Sequence, residues 1–170
     1  VGASARQEGQ FELAKRALER ALECIDELLA RRPERRSLAL TRAAIGTELA
    51  AVIADMGRWR EALQLANEAL AFGLTLENDP ERGHDWLYGM SLAYSNRAEV
   101  GIAAAADESC ERTERRARLA AARDDRNAAH RLLEDADAQG LLGEDKRGHF
   151  KFLQRVEEEI AKLEALLPEQ

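Results

Sequence analysis

One pattern occurs twice in this sequence, and it limits the folds open to the chain. Gly9-x-Phe11-x-x-Ala14 is followed by Ala21-Leu22, and Gly57-x-Trp59-x-x-Ala62 is followed by Ala69-Leu70. All landmarks keep the same spacing, at an offset of 48 residues. A glycine lets the chain turn sharply. The aromatic residue fills space at the start of the next helix. The two alanines, seven apart, lie on one helix face and let a neighbour approach within the 8–10 Å typical of packed pairs. The repeat therefore reads as helix, tight turn, helix, used more than once.

The rest of the chain agrees with helix. Ala, Leu, Glu and Arg dominate its 170 residues, and only three prolines occur. Those residue types lose little freedom in a helix. Six helical segments follow from apolar spacing. The first covers roughly 8–31, ended by Pro33. The second runs from about 34 or 37 to Met56, and the third from Trp59 to about Phe72, with Gly73 as a stop. Asn78-Asp79-Pro80-Glu81 looks like the start of the fourth, which continues to Ile102. The fifth spans roughly 107–139, with a polar interruption at Arg123-Asp124-Asp125-Arg126 where a bend or break is expected. The sixth, 144–167, carries Leu153, Val156, Ile160, Leu163 and Leu167 at alternating steps of three and four. No segment alternates with period two, so no sheet is expected. Residues 1–8 read as a flexible leader, 9–142 as helical hairpins and 143–170 as a terminal capping helix. The first residue is Val1, not Met, and the chain reads as a piece of a longer protein.

Composition also removes function classes. The net charge is −7, and carboxylates are interleaved with the basic runs around Arg31 and Arg115. Glu111 with Arg115 and Glu114 with Arg118 form i,i+4 pairs. No basic field suited to nucleic acid results. No membrane span or leader peptide is apparent. Cys24 and Cys110 stand far apart and read as small apolar residues in a reducing, cytoplasmic setting. His84, His130 and His149 are scattered, with no His-Glu-x-x-His, no phosphate loop and no Gly-x-Ser-x-Gly. No metal, cofactor or catalytic set is therefore expected, and the chain does not read as an enzyme. Trp59 reads as an inter-helix spacer, and Trp86 is the more open case.

The run Leu49-Ala50, Ile53, Gly57-x-Trp59, Ala62 and Ala69-Leu70 resembles the passage from helix A into helix B of a tetratricopeptide repeat. Leu92-Ala93 repeats Leu49-Ala50 at an offset of 43 and marks a further helix A. The likeness covers residues 9–32 and 44–106. Its spacing exceeds the common repeat of about 34 residues, and the third helix B keeps only Ala129 and Ala136. The resemblance implies an all-α fold, antiparallel helical hairpins stacked as a short tetratricopeptide-like α-solenoid of about six helices. An ordinary up-down helix bundle is the competing architecture.

The same resemblance implies a protein or peptide partner held on a concave wall. The main alternative is a peptide-sensing regulatory domain of a larger signalling protein. On that wall it puts Thr47, Ala51 and Asp55 from the second helix, and Met90, Tyr94 and Arg97 from the fourth, with Asn96 close by. Each trio steps by three or four, so each lies on one helix face. The Lys-and-Asn clamp that family members use for a C-terminal carboxylate is missing. The spacing of the last helix also offers a seam for a homodimer, should the cap be imperfect.

Overall fold

In a computed structural model of the protein, residues 2–76 and 83–167 are described. Seven helices occur among them, and no strand: α1 (Gly2–Gln7), α2 (Phe11–Arg31), α3 (Arg36–Asp55), α4 (Trp59–Leu74), α5 (His84–Ala106), α6 (Arg112–Ala138) and α7 (Glu144–Leu166). The extra helix lies inside the expected leader. Its Ala5 is buried and its Arg6 forms ion pairs with α3 and α5. The expected start at 78–81 lies outside the described residues.

The repeated glycines end helices in one way. Gly57 has φ +79°, its N–H donates to Ala54 O, and Arg58 N–H donates to Ile53 O. That pair of bonds satisfies carbonyls left over at a helix end, and the left-handed backbone it requires suits glycine. Gly9 (φ +73°) does the same for α1, and Gly140 (φ +69°) for α6. Each landmark aromatic is the first residue of its helix, Phe11 in α2 and Trp59 in α4. Ala14 and Ala62 are both fully buried. The α5–α6 turn has no such glycine. There the Asp107 carboxylate accepts from Trp59 Nε1 at 2.7 Å and from Ser109 N at 2.9 Å. Those hydrogen bonds, Trp59 first, pull the Asp107 pKa down to about 2.

Consecutive helices pack against each other from α1 through α5, α5 packs on α6, and α6 on α7. In addition α3 packs on α5 and α5 on α7. The even-numbered helices make no comparable pairing among themselves in the described residues. The core follows this arrangement. One cluster joins α2, α3 and α4 through Leu18, Leu49, Val52, Ala62 and Ala66. Another joins α4, α5, α6 and α7 through Leu70, Met90, Leu133 and Leu153. Helix α3 has a stretch long and apolar enough to cross a membrane, Ser37–Asp55. No such stretch was expected, and its apolar character is accounted for by packing against α2, α4 and α5.

Three further expectations change. Gly73 does not stop α4. It lies within the helix, where a Cβ would fall 2.6 Å from Met90 Sδ and 3.2 Å from the Ala43 Cβ. The polar run 123–126 does not break α6, because its charges point at two different neighbours. Asp125 meets Arg97 of α5, while Arg123 meets Glu157 and Glu164 of α7. Of the two i,i+4 pairs, Glu114–Arg118 forms at 3.3 Å, whereas Arg115 Nε donates to Ala105 O. Of the two cysteines, Cys110 is buried and Cys24 is exposed. The α7 stripe faces inward, with Leu153, Val156 and Ile160 almost completely buried.

Candidate functional site

A concavity of about 530 Å³ lies where α3, α5 and α7 run past one another. From α3 it takes Glu48 and Asp55, seven residues apart and so on one face. Leu92, Asn96 and Glu99 of α5 step by four and three. The α7 wall is His149, Phe152, Arg155, Val156 and Glu159, and Arg6, Gln7 and Phe11 close one end. Apolar floor and charged rim alternate, which is the usual build of a binding groove.

Its electrostatics centre on Arg6. The Nε donates to Asp55 Oδ2 at 2.6 Å and Nη1 to Glu99 Oε2 at 2.9 Å, with Glu48 Oε1 at 3.9 Å. Burial works against the Arg6 charge, but bonds to Asp55 and Glu99 outweigh it and raise its pKa above the ordinary value. Burial also pushes the Glu99 carboxyl up, and Arg6 opposes that shift only in part. Three carboxylates from two helices thus converge on one guanidinium.

At the other end, His149 Nε2 lies 2.9 Å from Ser95 Oγ. Ser95 Oγ also donates to the Ser91 carbonyl at 2.6 Å, and the imidazole hydrogen-bonds the Ser91 backbone as well. The ring stacks on Phe152, centroids 5.3 Å apart, with Tyr88 edge-on. Burial lowers the His149 pKa to about 4, so the ring is neutral at pH 7. Ser95 is fully buried and hydrogen-bonds the Ser91 carbonyl of its own helix. The contact fixes α7 on α5 and is not arranged as a nucleophile with its base.

The residues expected on the concave wall divide sharply. Asp55 and Asn96 line the groove. Thr47, Ala51 and Met90 are fully buried and unavailable to a partner in this structure. The Thr47 hydroxyl donates back to Ala44 O and accepts from Asn96 Nδ2 at 3.2 Å, which joins α3 to α5. Met90 abuts Gly73 of α4. Tyr94 packs, half-buried, in the core of α4–α7. Arg97 lies over the Tyr94 ring and forks onto Asp125 at 2.8 and 2.5 Å, with Asn67 at 3.0 Å. The trio 90, 94, 97 therefore faces α4 and α6. The groove is lined by 92, 96 and 99, two residues on, which is about 200° round the helix.

Sequence reading missed Arg6, Glu48, Leu92, Glu99 and the whole α7 wall. One signal was present. Between Trp86 and Ala106 the only charged residues are Arg97 and Glu99, and between Ala43 and Asp55 only Glu48 and Asp55. Charges inside otherwise apolar helices need partners or water, and three of these four mark the groove. A second hollow, about 450 Å³, lies outside α4 and α6 around Trp59, Leu63 and Asn67. There Arg60 and Arg118 flank the Trp59 ring at 4.3 and 5.6 Å, a packing arrangement that fills the site from within.

No family model, curated protein or solved structure matches this chain.

Proposed function

We propose that this chain is a short tetratricopeptide-like stack of helical hairpins that holds a segment of a partner protein in the α3–α5–α7 groove, without catalysis. The pairs α1–α2, α3–α4 and α5–α6 act as hairpins, and α7 closes the stack. One observation carries the reading: the groove is lined almost wholly by the odd-numbered helices, of which α3 packs on α5 and α5 on α7. That is the disposition expected when the first helix of every hairpin faces a common concave side. The lining suits a peptide better than a flat protein surface. Leu92 and Phe152 offer apolar contacts, and flanking charges set orientation.

Selection of a displayed random dodecapeptide library on the immobilised protein tests this. Enriched peptides should lose at least about tenfold in affinity, roughly 1.4 kcal/mol, on Leu92→Asp. Leu13→Asp, at an exposed position on α2, should leave them unchanged. Enriched peptides that bind the Leu92 variant as well as wild type would place the working surface elsewhere.

A further inference from the structure

We propose that α1 is a built-in occupant of the groove, that Arg6 holds the place of an arginine from the partner, and that the partner segment is therefore basic with apolar neighbours. This rests on the groove reading above.

The first argument is the fork. Arg6 uses two different nitrogens for two carboxylates on two different helices, Asp55 of α3 and Glu99 of α5. A planar guanidinium suits such a site, and a lysine ammonium reproduces it poorly. Three like charges held this close on Glu48, Asp55 and Glu99 disfavour one another unless a cation sits among them.

The second argument is how weakly the occupant is tied down. Six residues make too short a helix to persist unaided. Among helices, α1 packs substantially only on α2. Beyond Ala5, which is buried in the core cluster, its hold on α3 and α5 comes from the Arg6 pairs, which remain partly open to water. The connection to α2 is only three residues, 8–10.

The third argument is the space beyond. Arg6 fills only one end of the groove, and the floor of Leu92 and Phe152 continues past it. A partner arginine that replaces Arg6 would bring its neighbouring apolar side chains onto that floor. Displacement of α1 then becomes part of binding, and α1 lowers the apparent affinity until it is released.

The test uses a fluorescein-labelled peptide of alternating Arg and Leu, and a counterpart with Glu for every Arg. Arg6→Gln should bind the arginine peptide at least tenfold more tightly than wild type. Adding Asp55→Asn and Glu99→Gln should abolish that gain, and the glutamate peptide should gain nothing. Equal affinity of wild type and Arg6→Gln overturns the proposal, as does an equal gain by the glutamate peptide. A second measurement needs no variant. In wild type, saturating arginine peptide should move the Arg6 Nε–H NMR signal to its solvent-exposed position. Peptide that perturbs Leu92 and Phe152 while this signal stays put sinks the latch and leaves the groove standing. Peptides that perturb neither residue sink both.

Discussion

The α3–α4 hairpin and the α6–α7 pair are both antiparallel helix contacts, yet they are held by opposite means. In the first, backbones come close over small residues: a Cβ on Gly46 would stand 2.8 Å from the Ala69 Cβ, and Ala62, Ala66 and Leu70 are buried beside it. In the second, Leu153, Val156 and Ile160 bury an apolar stripe, and Arg123 and Arg126 reach across its rim to Glu157 and Glu164. Close backbone approach leaves no room for change. Long charged side chains at a wet edge can rearrange. The two contacts should therefore respond very differently to substitution.

The strongest challenge to that contrast comes from a charged contact that is not at a wet edge. Asp125 is 8% exposed and receives two bonds from Arg97. Arg97→Ala should cost roughly 3–4 kcal/mol, because it strands a buried carboxylate. Burial already pushes the Asp125 pKa up, so part of that loss should return at low pH as the stranded group takes a proton. Urea unfolding at pH 7 and pH 4.5 checks both. An unchanged melt would restore Arg97 to the partner surface where the sequence had placed it.

Ala62→Leu adds three carbons to a fully buried site in the small-residue contact and should cost about 3 kcal/mol by overpacking. Gly46→Ala should lose less, since its gain in helix propensity of about 1 kcal/mol offsets part of the clash with Ala69. A neutral Ala62→Leu would remove the distinction between the two contacts.

These residues also mark what the sequence could disclose. Gly57, Trp59, Ala62 and Ala69 recur at fixed spacing because close packing admits few residue types, so the α3–α4 hairpin was legible. Helix count failed only at α1, which is too short to show a period. The run 123–126 misled because its charges look solvated in one dimension. Their partners Arg97, Glu157 and Glu164 are 28 to 41 residues away. The groove was half legible. Of the residues expected on the wall, Asp55 and Asn96 line it, but 90, 94 and 97 lie opposite the lining face of α5. Phase around a helix buried on most sides is not readable from apolar spacing, since every face is apolar.

Between the two extremes lies the α5–α7 contact through His149. The unfolded chain takes up the imidazole proton near pH 6.5, the folded protein only near 4. Stability is therefore lost as pH falls through this window, by about 2 kcal/mol at pH 5. Glu99 and Asp125, whose folded pKa values are raised, act in the opposite sense. Comparison with His149→Phe cancels them: between pH 7 and 5 the wild type should lose that much more than the variant. Parallel curves would show that His149 is solvated, and that Ser95 does not anchor α7.

The smallest effect is expected at Arg123. It carries as many carboxylate contacts as any cation described, bonding Glu164 through two nitrogens at 2.7 and 2.9 Å and Glu157 at 3.2 Å. By bond count it should outrank Arg97. But its side chain is 36% exposed and those of Glu157 and Glu164 are 37% and 39%, against 11% for Asp125. Water screens the charges and solvates whatever a substitution leaves behind, so neither carboxylate is stranded. Arg123→Ala should cost under about 1 kcal/mol, and most of that should vanish in 1 M salt, where the screening length shrinks to about 3 Å. Arg97→Ala should keep most of its cost in the same salt, because its partner is shielded by protein. Chemical denaturation of the two variants at low and high salt therefore asks whether burial or the number of bonds decides what an ion pair is worth on α6. A salt-resistant loss at Arg123 equal to that at Arg97 would mean that the α6–α7 edge is as closed as the α5–α6 interior.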